Sequence, residues 1–233
     1  MDVEVLPGPS LAERARTAVT QARLATVTWA DPEPGRGRRV TATAAIRDGG
    51  AGAPLLLLAP REAVTEALAE SPLVTATIPA PSPLGSLALT GTMWPRSESD
   101  GRVGYRLDLR SLRFVGGGGA PVALADYRAA EPDPLWRVAA SAIRHLERGH
   151  MAELICCVRA HGMRRAEWVV PRGLDRFGLE LAVISPHGVA AVRLSFPDGP
   201  VGSLEEVPAS LRAVLACRCR PARPESEAES EAG

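Results

Sequence analysis

The sequence predicts an α+β protein in which a small antiparallel β-barrel is followed by a separate unit of helices and a hairpin. Two observations carry this prediction. Up to residue 130, short apolar strand patterns alternate with turns rich in Gly and Pro. Beyond the junction Glu131-Pro132-Asp133-Pro134, apolar residues recur at helical spacing. A chain of 233 residues is long enough for two modest domains.

Composition narrows the class of protein. Basic and acidic residues balance at 27 each, so neither nucleic acid nor an anionic membrane is an expected partner. Every basic residue is arginine, which excludes a lysine Schiff base. The longest apolar run, residues 54–60, has the length of a strand rather than of a membrane span. The N-terminus lacks the basic region of a signal peptide, so we expect a cytoplasmic protein.

In the first unit, residues 1–130, a capping box at Ser10-Leu11-Ala12-Glu13 predicts a helix over residues 10–22. A short helix is expected over residues 61–70. The Gly116-Gly117-Gly118-Gly119 run is interpreted as a strand connection, because it lacks the Lys-Ser/Thr ending and the following helix of a phosphate loop. Strand patterns cover residues 24–29, 40–46, 55–58, 73–78, 86–94, 103–115 and 121–124.

The second unit, residues 134–220, begins with an apolar stripe over residues 135–146. Gly149 interrupts it before a second stripe over 151–158, which predicts two helices or one kinked helix. A short strand at 168–170 precedes a hairpin whose strands, 179–184 and 189–194, face each other across Ser185-Pro186-His187-Gly188. A closing helix is expected from Ser203 to about Cys219. The acidic tail, residues 221–233, is predicted to be disordered.

All four histidines lie in the second unit, but no metal motif follows from their spacing. A zinc protease needs His-Glu-x-x-His, whereas His145 and His150 are five residues apart, about 140° around a helix. A satisfied structural histidine is the alternative for each of them. The cysteine pairs, at 156–157 and at 217 and 219, lack Cys-x-x-Cys spacing and are interpreted as reduced thiols.

Three stretches together resemble the C-terminal domain of HugZ-like heme-utilisation proteins. They are residues 145–154, the run Gly173-Leu174-Asp175-Arg176-Phe177-Gly178-Leu179-Glu180-Leu181, and Val192-Arg193-Leu194-Ser195-Phe196-Pro197. In that family this domain follows a split barrel of the pyridoxamine 5'-phosphate oxidase type, the FMN-binding split-barrel fold. The first half of this chain is similar to such a barrel. The family pattern His-Met-Asn-x-Asp-His keeps both histidines here, while Glu147 and Gly149 replace Asn and Asp.

The resemblance implies a homodimer formed through the barrel that binds heme and takes part in its breakdown or in iron release. The ligand candidates are His145, His150 and His187, since a neutral imidazole is a suitable iron ligand. FMN has less support, because residues 40–46 and 55–60 offer only threonines and Arg61 is the sole basic candidate for its phosphate. A flavin-dependent oxidoreductase and a non-catalytic regulatory or partner-binding module remain the alternatives.

Overall fold

The computed structural model describes residues 8–30, 39–50, 52–59, 72–80, 84–99, 102–116 and 119–216. The first helix, α1 (Leu11–Gln21), begins at the predicted capping box. The Ser10 hydroxyl accepts a hydrogen bond from the Glu13 backbone N–H at 3.2 Å, and the Ser10 N–H donates to the Glu13 carboxylate at 2.7 Å. The reciprocal pair satisfies two N–H groups that a helix start leaves free.

The first unit is a closed antiparallel barrel. Its strands are β1 (Leu24–Ala30), β2 (Arg39–Asp48), β3 (Pro54–Leu58), β4 (Leu73–Pro79), β5 (Ser86–Ser99) and β6 (Arg102–Val115), with the short β7 (Pro121–Val122) paired to β6. They are ordered β3-β2-β1-β4-β5-β6, and a further pairing of β3 with β6 closes the ring. The first two strands, β1 and β2, pair in antiparallel orientation.

Period-two alternation fills this barrel. Along β1, Ala25, Val27 and Trp29 are buried while the residues between them face outward. The inward side chains of all six strands form one apolar core, which α1 covers with Ala15 and Val19. A helix not expected from the sequence, α2 (Leu124–Ala129), follows β7 and buries Tyr127 against that core.

The second unit has its own apolar core. A 3-10 helix (Pro134–Arg137) leads into α3 (Ala139–Gly149) and α4 (Met151–Ala160), which confirms the predicted break between two helices. The antiparallel strands β8 (Trp168–Asp175), β9 (Gly178–Ser185) and β10 (Gly188–Ser195) form a three-stranded sheet ordered β10-β9-β8, and the predicted hairpin is its β9–β10 pair. The last described helix is α5 (Val207–Leu215).

Asp133 joins the two units at the predicted junction. Its backbone N–H donates to the Thr17 hydroxyl on α1 at 2.8 Å. Its carboxylate accepts from the Leu135 N–H, which caps the 3-10 helix, and from the Arg176 N–H in the β8–β9 turn, each at 2.8 Å. A salt bridge between Arg176 and Glu13 crosses the same boundary. Asp133 therefore links the two units, because its backbone N–H bonds the barrel while its carboxylate bonds the second unit.

Several details differ from the sequence-based expectations. The closing helix begins at Val207 rather than Ser203, because Ser203 and Glu206 pair through their side chains in the preceding turn. Cys156 is disulfide-bonded, so the interpretation as a reduced thiol is wrong for this residue. The helix expected at 61–70, Cys217, Cys219 and the acidic tail lie outside the described residues. No helix among the described residues is long and apolar enough to cross a membrane.

Candidate functional site

Two of the predicted site residues, His145 and His150, contact each other. Their Nε2 atoms lie 3.2 Å apart, and the ring centroids are 5.0 Å apart with the planes tilted by 59°. His145 is exposed on α3, whereas His150 is half-buried with 33% of its side chain accessible. The result is a pair of imidazoles at an exposed helix junction.

The break between α3 and α4 causes this contact. His150 ends α3 and precedes α4 with φ −130° and ψ 22°, outside the helical region. On an unbroken helix the two side chains would diverge by about 140°. Glu153, one turn into α4, places a carboxylate oxygen 3.6 Å from His150 Nδ1. This carboxylate lies beside Nδ1, whereas Nε2 is the ring nitrogen that faces His145.

The two remaining histidines lie elsewhere. His187 is exposed at the tip of the β9–β10 hairpin, where its Nε2 lies 3.0 Å from the guanidinium of Arg165. His161 ends α4, and its Nδ1 lies 2.9 Å from the Cys157 carbonyl oxygen. The described residues contain no group of three or more His, Cys, Asp or Glu side chains that could hold a metal ion by themselves. The structure therefore joins two of the three candidate ligands.

The intact part of the resemblance, around Asp175 and Gly178, is structural. Asp175 accepts a hydrogen bond from the Phe177 N–H at 2.9 Å and forms a salt bridge with Arg193 on β10. Gly178 has φ +148°, a conformation that side chains rarely adopt. These two residues hold the β8–β9 turn against the end of β10.

The outer face of the barrel carries rows of threonines. On neighbouring strands, Thr41 pairs with Thr28, Thr28 with Thr75 and Thr75 with Thr90, and the hydroxyls of the last pair lie 3.0 Å apart. A second row consists of Thr43, Thr26 and Thr77. These seven residues are exposed or half-buried, and we call them the threonine face. Arg61, the phosphate candidate for FMN, lies outside the described residues.

A cleft of about 550 Å³ separates α1 of the barrel from α3 and β8 of the second unit. None of the four histidines, all of which are described, lines it, and no sequence motif predicts it. Asp133 lies at its base, where burial raises the pKa of the carboxyl although two backbone N–H donors act in the opposite direction. The only sequence signal is the alanine content of the facing helices, which leaves room between them.

Comparisons with known proteins match this chain to solved structures. No protein-family model and no curated protein matches the chain. A solved heme binding protein from Mycobacterium smegmatis is 25% identical to this chain, with a TM-score of 0.66. The match covers 91% of this chain and 98% of that protein's chain. HupZ of Group A Streptococcus is 10% identical with a TM-score of 0.37, covering 50% of this chain and 100% of its own.

A Clostridium acetobutylicum protein related to general stress protein 26, of the pyridoxinephosphate oxidase family, is 10% identical with a TM-score of 0.38. It covers 46% of this chain and 89% of its own. The match to the Mycobacterium smegmatis protein spans both the barrel and the second unit. The chain therefore has the α+β split-barrel fold that its sequence predicts.

Proposed function

We propose that this chain is a heme-binding split-barrel protein of the HugZ-like class, with His150 as the iron ligand. The observation that carries the proposal is the contact between His145 and His150 at an exposed helix junction. Further support comes from the likeness to the Mycobacterium smegmatis heme binding protein over nearly the whole of both chains. Heme would supply the iron chemistry, while the protein supplies the ligand and the anion contacts.

The geometry favours one ligand from the pair rather than two. A histidine that would hold the iron needs a ring nitrogen free to bind it, and the Nε2 atoms of His145 and His150 face each other. His150 is the better candidate, because Glu153 lies beside its Nδ1 and leaves Nε2 as the coordinating atom. His145 is exposed and can rotate away from that atom.

Positive charge for the heme propionates is available on α3. Arg144 and Arg148 flank His145 in the sequence and are exposed, and neither pairs with a carboxylate among the described residues. Arg148 follows His145 by three residues, so both project from one face of the helix. Guanidinium groups bind carboxylates with two parallel hydrogen bonds, which suits a propionate.

A second copy of the chain would complete this site. The junction is exposed, so one protomer covers the heme on one side only. The threonine face suits the dimer contact through the barrel, since its side chains carry no charge and Leu24 and Leu73 beside it are 59% and 47% exposed. His187, exposed at its hairpin tip, is the ligand candidate that the second copy would contribute.

Hemin titration tests the iron ligand. The Soret band of hemin is expected to shift when hemin binds the wild-type protein, and the end point of the titration gives the number of hemin molecules bound per chain. Changing His150 to Ala removes the ligand, so the affinity for hemin should fall at least about tenfold, or about 1.4 kcal/mol. His161→Ala is the matched control, because that ring binds a backbone carbonyl at a helix end. An unchanged titration in the triple variant His145→Ala, His150→Ala, His187→Ala would refute the proposal.

The threonine face gives a second prediction. Thr26 is exposed between Thr43 and Thr77, so Thr26→Arg should place like charges face to face across a two-fold contact and convert the dimer to monomer. Sedimentation at micromolar concentration measures the change. Ala209→Arg on the exposed side of α5 is the control and should leave the dimer intact. A monomeric wild type, or a dimeric Thr26→Arg variant, contradicts this interface.

Heme breakdown or iron release is the finer part of the proposed role. The reaction consumes electrons and dioxygen, so ascorbate is added in air to the hemin complex while the Soret band is followed. Decay of the band together with capture of ferrous iron by a chelator supports breakdown. A stable band under these conditions restricts the role to heme binding.

A further inference from the structure

The cleft between the barrel and the second unit has the form of a ligand site. Its volume of about 550 Å³ is within the range of small-molecule sites, which often lie between domains. Its walls are mainly apolar, and much of the lining is small, because it includes Ala18 of α1, the following Ala22, and Ala139 and Ala140 of α3. A flat molecule could therefore enter between the two helices.

An aromatic side chain stands at one side of this space. Trp136 of the 3-10 helix is half-buried and lines the cleft with Ile143. The guanidinium of Arg137 lies 5.0 Å from the centroid of the indole ring, a cation–π contact. A positioned indole favours a ring-containing ligand, since aromatic rings stack or meet edge to face.

The acidic side chains of the cleft already have protein partners. Glu180 lies 3.7 Å from the Arg14 guanidinium, and Asp175 is paired with Arg193. The carboxylate of Asp133 accepts from two backbone N–H groups. These three groups therefore leave little negative charge to repel an anion.

Two arginines at the cleft have no such partner. Arg23, just before β1, and Arg172, on β8, both line the space and are exposed. Neither has a hydrogen bond to a side chain or a salt bridge among the described residues. With the carboxylates paired, the described residues give the cleft an apolar interior and two guanidinium groups without a side-chain partner.

We propose that this cleft binds an amphipathic anion, a small ring-containing carboxylate. Its apolar body lies between α1 and α3 against Trp136, and its carboxylate is bound by Arg23 and Arg172. This site is separate from the histidine pair and does not rest on heme binding, because no histidine lines it.

The fluorescent dye 1-anilinonaphthalene-8-sulfonate is a suitable probe, since it joins aromatic rings to an anion. One dye molecule per chain is expected to bind to the full-length protein. Ala140→Phe fills the cleft from an exposed position, so it should weaken dye binding at least tenfold without loss of folding. Ala209→Phe on α5 is the matched control, and its dye binding should equal that of the wild type.

Charge is tested separately. The double variant Arg23→Gln, Arg172→Gln should bind the dye about tenfold more weakly, whereas Arg110→Gln on the barrel should have no effect. In competition, naphthalene-2-carboxylate should displace the dye at least tenfold better than the neutral naphthalene-2-methanol. Equal competition by the two compounds, or unchanged dye binding in both the Ala140→Phe and the arginine variants, overturns the proposal.

A last comparison separates this site from the heme proposal. Dye binding should be the same in His150→Ala as in wild type, whatever effect this substitution has on hemin binding. Loss of dye binding in His150→Ala would overturn the claim of a separate site. If hemin binding instead survives the histidine changes and is lost in Ala140→Phe, the cleft is supported as an anion site while the assignment of His150 fails.

Discussion

Alanine in place of Gly178 is expected to destabilise the second unit by about 4 kcal/mol, as the sum of backbone strain and a steric overlap. The φ of +148° disfavours any side chain. A Cβ at this position would also lie 2.1 Å from the Leu194 carbonyl oxygen and 2.8 Å from the Ser195 Cα. Both are backbone atoms of β10, so the strands must separate to admit the methyl group. Urea unfolding followed by circular dichroism measures the loss.

Gly188 offers a matched control in the same hairpin. Its φ of +117° is similarly unfavourable for alanine, but nothing lies within 4 Å of a Cβ there. Gly188→Ala should therefore cost only the backbone strain, about 1–2 kcal/mol. Equal losses for the two variants would show that the overlap with β10 contributes nothing. The difference between them measures how tightly β10 is held to the β8–β9 turn.

The second large effect is expected at Asp133. Changing it to Ala leaves the N–H groups of Leu135 and Arg176 without an acceptor, so the free energy of unfolding should fall by about 3 kcal/mol. Both donors belong to the second unit, so the chain around the junction should also loosen, while the backbone N–H that bonds Thr17 is retained. Proteolysis near the junction, compared with the unfolding free energy, detects this loosening. Asp126→Ala, at an exposed site on α2, is the control.

The same carboxyl gives a pH dependence of defined sign. Burial raises the pKa of Asp133 in the folded protein, so the folded state binds a proton more readily than the unfolded state. Its contribution to stability therefore increases as the pH falls through the raised pKa towards the ordinary one. Relative to Asp133→Asn, wild type should gain stability on acidification through that window. If the difference in the free energy of unfolding between wild type and Asp133→Asn does not change with pH, the raised pKa of Asp133 is contradicted.

Local patterns were sufficient for most of the barrel. Alternation along residues such as Ala25, Val27 and Trp29 is a property of a single strand, so it can be recognised without knowing the partner strand. The closing pair, β3 with β6, depends on register between distant segments and was not predicted. The helix α2 was missed because it has only six residues and directly follows a strand.

The candidate site could be predicted only as residue types. The sequence identifies His145 and His150, but on a regular helix their side chains diverge, and only the backbone angles at His150 bring the two Nε2 atoms together. Gly149 indicates a break without giving its direction. The cleft between the units could not be predicted for a similar reason, since Arg23 and Arg172 line the same cleft only when the two units are packed together.

The closure of the barrel also bears on the order in which the chain folds. Leu55 to Leu58 must pair with Val103 to Arg106, and bringing together segments so distant in the sequence costs entropy before any of these contacts forms. The β9–β10 hairpin, in contrast, connects neighbouring residues through a two-residue turn. Non-local pairing slows folding, so the barrel is expected to set the folding rate while the hairpin forms early.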